Sequence, residues 1–124
     1  MSRPGAGPGA PAAAAAVERF LQLGDRAEYL EMGWVFGTQN GAIAAEWPAS
    51  EVERRMYALA TVLRHDSYVI GNPQPVPGRV GRAERFMVTL HRGTEIRDVP
   101  FIVVMGPGNR WFVEQVDIEA ITDA

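Results

Sequence analysis

The chain has 124 residues, a formal net charge of −3 and no cysteine, which fits a single hydrophobic core and rules out disulfides and thiolate metal sites. The acidic balance disfavours polyanions, so no nucleic-acid partner is expected, and no run of about 18 apolar residues supplies a membrane span. All 12 basic residues are Arg, which in a chain so rich in Ala, Gly and Pro most simply reflects GC-rich coding rather than selection for phosphate recognition.

Residues 1–11 are mainly Gly, Pro and Ala with Arg3 as their one charge. That composition predicts a disordered leader ahead of one domain over 12–122. The leader lacks the apolar stretch of a secretion signal. The compartment stays open: cytoplasmic if Met1 is the native start, exported if a signal or tether has been removed.

A first helix is expected from Pro11 or Ala12, with Val17, Phe20 and Leu21 forming one apolar stripe and Gly24 ending it. Asp25 with Glu28 then reads as the cap of a second helix carrying Ala27, Leu30 and Trp34. The stretch Phe36-Gly37-Thr38-Gln39-Asn40-Gly41 follows as a turn. The best-marked helix runs from about Glu51 to Arg64. Ser50 and Glu53 form an S-x-x-E capping box, and Val52, Met56, Leu59 and Leu63 make a core-facing stripe.

Strand-like runs follow at Tyr68 to Ile70, Ala83 to His91, Val99 to Met105 and Arg110 to Ile118, separated by Gly/Pro-rich turns. Three helices followed by a mainly antiparallel meander define an α+β fold. The run Phe101-Ile102-Val103-Val104-Met105 is apolar on both parities, so both faces of that strand should be covered. Helices cover one face. The other calls for a curled sheet or a second subunit, and a homodimer through the sheet is expected.

Candidate chemistry is sparse. His65-Asp66 offers a base beside a carboxylate, but its position at a helix end favours a capping role. His91 shares a strand face with Arg85, Met87 and Thr89, and that face either lines a pocket, with Arg85 holding an anion and His91 moving a proton, or lies outside the sheet. Tyr29, Trp34, Tyr57 and Tyr68 are aromatic candidates for a cavity, against the simpler reading that they are core. Glu114 and Asp117 have opposite parity and form no dyad. Two distant His without H-x-x-x-H spacing make a metal site improbable, and no cofactor is implied. Gly78-Arg79-Val80-Gly81 imitates a G-x-x-G clamp but leads into a strand, so Arg79, Arg82 and Arg85 read as a solvated edge.

Element order and several residues resemble the nuclear transport factor 2-like superfamily, which includes ketosteroid isomerases and SnoaL-type polyketide cyclases. The resemblance spans about Ala12 to Ile121. It rests on Gly24-Asp25 with Leu30 at a helix junction, the helix Val52 to Leu63, and the terminal hairpin Asn109-Arg110-Trp111-Phe112-Val113. Phe36-Gly37-Thr38 and Val52-Glu53-Arg54-Arg55-Met56 resemble uncharacterised bacterial members. It implies a cone-shaped, cystatin-like α+β fold with helices packed on a curved sheet, a pocket at its wide end, and dimerisation through the outer face of the sheet. Catalytic members use Tyr with carboxylates, or a His-Asp arrangement, and those roles find no matching positions here. The expected function is therefore a noncatalytic domain, structural or binding a small hydrophobic ligand. The alternatives are an isomerase, cyclase or dehydratase acting on a small hydrophobic substrate, or a protein-interaction module.

Overall fold

The Ala run and the stripe of Val17, Phe20 and Leu21 build α1, Ala13–Asp25, whose Val17 and Phe20 are wholly buried. The structure, a computed structural model, describes residues 7–122. Asp25 closes α1 instead of opening the next helix. The Glu28 N–H reaches the Leu23 carbonyl (2.9 Å) and the Ala27 N–H reaches that of Gly24 (3.1 Å), with Ala27 in the left-handed region at φ 58°. This pairing is a Schellman motif, so the stop is set by Ala27 rather than by Gly24. The second helix shrinks to a single turn, α2 at Tyr29–Met32, and Glu28 makes no side-chain cap.

A small hairpin follows, β1 at Gly37–Thr38 and β2 at Gly41–Ala42, then a 3-10 turn at Ile43–Ala45. Helix α3, Ala49–Val62, starts from Pro48 without a side-chain cap. The expected Ser50–Glu53 box is thus absent, because the helix begins two residues earlier than that box requires. Glu51 takes over the first turn: its carboxylate receives Arg54 and Arg55, and these hydrogen bonds hold it below the usual carboxylate range. Val52, Met56 and Leu63 are buried as the stripe predicts, while Leu59 is half-buried.

The strands are β3 (Ser67–Ile70), β4 (Gln74–Pro75), β5 (Ala83–Arg92), β6 (Glu95–Met105) and β7 (Trp111–Val116), with a last turn α4 at Glu119–Thr122. They pair antiparallel in the order β3-β5-β6-β7, and β4 also pairs with β5. Phe86, Val88 and Leu90 of β5 and Val99, Phe101 and Val103 of β6 share one core with α1 and α3. Phe20 stands at its centre, with ring centroids 5.7 Å from Phe36 and 6.4 Å, edge-on, from Phe101. The fold is therefore α+β, with three helices ahead of a mainly antiparallel sheet.

The doubly apolar strand is partly resolved within the chain. Register slips between Ile102 and Val103, which face Gln115 and Val113, so Glu114 is the extra residue of a bulge in β7. Val104, on the face away from α1, packs with Phe112 and with Ala42 of the small hairpin in a second cluster. Ile102 stays half-buried.

The edge of β7 is also covered from within the chain. Phe36 bridges Val113 in parallel sense and Ala10 bridges Trp111 antiparallel. This corrects the reading of residues up to 11 as a free leader, of which 1–6 lie outside the described residues. The Gly9 N–H donates to the Trp34 carbonyl (2.7 Å), and Ala10 and Trp111 exchange two backbone bonds of 2.9 and 2.8 Å. The guanidinium groups of Arg19 and Arg110 both donate to the Gly9 carbonyl, at 2.9 and 3.0 Å. Composition could not reveal this, because the docking energy comes from residues far along the chain.

Gly9 has φ 71°, and a Cβ there would lie 2.8 Å from the Trp111 carbonyl oxygen and 3.0 Å from the Phe112 ring. Gly9→Ala is therefore expected to cost about 1–3 kcal/mol in urea unfolding. Removing residues 1–10 should lower the melting temperature by several degrees, whereas Ser50→Ala should stay within about 0.5 kcal/mol of the parent.

Candidate functional site

The C-terminal ends of α1 and α3 converge, and the groove between them holds a cluster of polar side chains. His65 follows α3 closely and folds back under it. Its Nδ1 lies 2.8 Å from the Leu63 carbonyl oxygen, and its Nε2 lies 3.1 and 3.2 Å from the two carboxylate oxygens of Asp25. The imidazole is edge-on to Tyr68 at 5.2 Å. Its side chain is 4% exposed while that of Asp25 is 48% exposed. The pair thus joins the end of α1 to the start of the sheet and presents its carboxylate, not its imidazole, to the outside.

That carboxylate opens onto a groove of about 340 Å³ walled by Asp25, Ala27, Tyr29, Thr61, Arg64 and His65. Tyr29, at the head of α2, packs edge-on against Tyr57 of α3 at 5.3 Å. The Thr61 hydroxyl donates to the Tyr57 carbonyl (2.8 Å), which leaves its lone pairs available. Behind His65 and Asp25 lies a cavity of about 10 Å³ between Phe20, Leu21, Met32 and Leu63, room for a single water.

The remaining candidates are divided between this groove and other parts of the fold. Tyr29 and Tyr57 meet at the groove, although Tyr57 is 51% exposed and lies at its rim. Trp34 lines a separate apolar recess of about 240 Å³ with Pro8, Ala42, Pro107 and Phe112. Arg85 and His91 stand on the sheet face opposite α1, in register with Ile102 and Ile96, and enter neither groove nor recess. Of the two readings of that face, its place outside the sheet is the one the parity of the buried Phe86, Val88 and Leu90 enforces.

His65 and Asp66 do not act together. Asp66 accepts the Gly93 N–H at 2.7 Å, at the far end of the β5–β6 hairpin. Arg79 is not part of a solvated edge: it meets the bulge residue Glu114 in a two-pronged pair of 2.9 and 3.0 Å, and that hydrogen bonding raises the guanidinium above its usual range. Among the described residues no three His, Asp or Glu side chains converge as a metal site requires. The Asp25–His65 pairing was not legible in sequence, since 40 residues separate its members; the available signal was that each lies at or just beyond a helix C-terminus.

Comparison with family models, with curated proteins and with solved structures gave no significant match.

A double-mutant cycle of Asp25→Asn and His65→Gln, read by urea unfolding, should return a coupling of about 0.5–1.5 kcal/mol. Additive effects would show that the two side chains do not support each other.

Proposed function

We propose that this chain is a small-molecule-binding domain of the cone-shaped nuclear transport factor 2-like architecture, with its ligand in the groove between α1 and α3. The observation that carries the reading is the groove itself. Its volume of about 340 Å³ lies within the roughly 300–1,000 Å³ of small-ligand sites, and it combines an aromatic wall with polar groups held in place. The order of three helices, a short hairpin and an antiparallel meander, with Phe36 running parallel to β7, supports the cone-shaped architecture. The lining favours a polar ligand over the hydrophobic one that the family resemblance implies.

Binding without catalysis is supported by the setting of His65. A general base needs a nitrogen within reach of the substrate's proton, and both ring nitrogens are taken up by oxygens of the protein on a side chain that is 4% exposed. Asp25 is the accessible group and acts as a fixed hydrogen-bond acceptor. In a thermal-shift screen of polar metabolites, at least one compound should raise the melting temperature, and Tyr29→Ala should weaken its affinity about tenfold or more. Hits that bind Tyr29→Ala as well as the parent would place the ligand elsewhere.

A second reading, self-association, is supported by the face of the sheet that carries Arg85 and His91. Val69 (59% exposed), Ile96 (62%) and Met87 (37%) all lie there. A symmetric pair through this face would bury Ile102 fully and needs an interface above about 1,000 Å². Light scattering at micromolar concentration should report twice the chain mass and Ile96→Glu should halve it; a monomeric parent would refute the dimer.

A further inference from the structure

We infer that the groove between α1 and α3 takes a small zwitterion, a molecule carrying an ammonium group and a carboxylate a few bonds apart, of which the free α-amino acids are the simplest class. This inference rests on the groove being the ligand site and names what it selects.

One side of the groove is built from acceptors. The Asp25 carboxylate is held by His65 at 3.1 Å yet remains 48% exposed, so it retains lone pairs toward the groove. Asp25 is also the last residue of α1, and Ala60 and Thr61, which line the same groove, lie in the last turn of α3. Two helix C-termini therefore bring their negative ends to one place; the α1 carbonyls of Gln22, Leu23 and Gly24 are taken up by the turn that follows, which leaves the last turn of α3 to offer open carbonyls. A compact donor with several hydrogens and a positive charge, such as an ammonium, satisfies a carboxylate and helix-end carbonyls together.

A purely cationic ligand is disfavoured by Arg64. Arg64 lines the groove, and its guanidinium makes no hydrogen bond or ion pair with another described residue, so it is available to a ligand there. A guanidinium presents a planar fork that matches a carboxylate. The acceptors and Arg64 border a single space of about 340 Å³, so a ligand bearing both charges can use each wall. Tyr29, steadied by the edge of Tyr57 at 5.3 Å, offers its ring to the ligand's body and to the ammonium.

The test is a panel of the free L-amino acids, ranked by thermal shift and measured by calorimetry on the full chain. The tightest binder is then compared with its N-acetyl derivative and its primary amide. Blocking either end should weaken binding about tenfold or more, the loss expected of one charge-assisted hydrogen bond. Arg64→Gln, a change at an exposed side chain, should weaken the free amino acid to a similar degree and leave the amide unchanged. Asp25→Asn should do the converse, sparing the N-acetyl form, with circular dichroism confirming that the variant is folded. Blocked derivatives that bind as well as the parent, or an Arg64→Gln chain with undiminished affinity, would overturn the zwitterion. If no amino acid binds while other compounds bind in a Tyr29-dependent way, the zwitterion fails and the groove stands as a ligand site. If neither set binds, both fail.

Discussion

Phe20 is fully buried, with Phe36 beside it and Phe101 edge-on from the middle of the sheet, and the path of α1 across the sheet hangs on this contact. An aromatic in such a position contributes on the order of 3–5 kcal/mol by the measure of its truncation, a large share of the stability of a domain this size. Val17, Leu21 and Leu23 extend the same seam. The helix cannot rotate without moving this stripe out of a core packed at crystal-like density.

Fixing α1 fixes what lies at its two ends. Ahead of its first turn, Gly9 and Ala10 are drawn onto the edge of β7, with Arg19 of α1 reaching back to the Gly9 carbonyl. The segment and the Phe36–Ala42 region shield an edge that would otherwise expose unpaired backbone groups. At the other end the Schellman turn at Ala27 leaves Asp25 projecting toward His65, and the short α2 carries Tyr29 to Tyr57. The groove is thus a by-product of where a helix stops. Its polar lining is tolerable because the groove is open to water and because His65, whose side chain is 4% exposed, places both ring nitrogens against oxygens.

Local periodicity was sufficient for much of this. The stripes of α1 and α3 and the alternation of β5 are properties of consecutive residues; they place Phe20, Val52 and Met56 in the core and set Phe86 and Val88 together on one face of β5. Caps were less legible. Ser50 and Glu53 have the right spacing for a box, yet Pro48 begins the helix and Glu51 serves Arg54 and Arg55 instead. Least legible were contacts that depend on closure of the whole fold. Alternation separated Arg85 and His91 from Phe86 and Leu90 without saying which set faced the helices. The docking of Gly9, the Arg79–Glu114 pair and the Asp25–His65 pair each join residues far apart in sequence, and no local pattern encodes them. Two adjacent apolar parities in β6 suggested a partner, where part of the cover is the chain's own Ala42 and Phe112.

If α1 positions both ends, a modest loss at its centre must reach both. Native-state hydrogen exchange on Phe20→Leu, which keeps the site apolar, measures this directly. Faster exchange is expected of the Ala10 amide, bonded to Trp111, and of the Glu28 amide, which closes α1 on Leu23, alongside the amides next to position 20. Exchange that speeds up around position 20 alone, with Ala10 and Glu28 protected as in the parent, would contradict the positioning of both ends by α1.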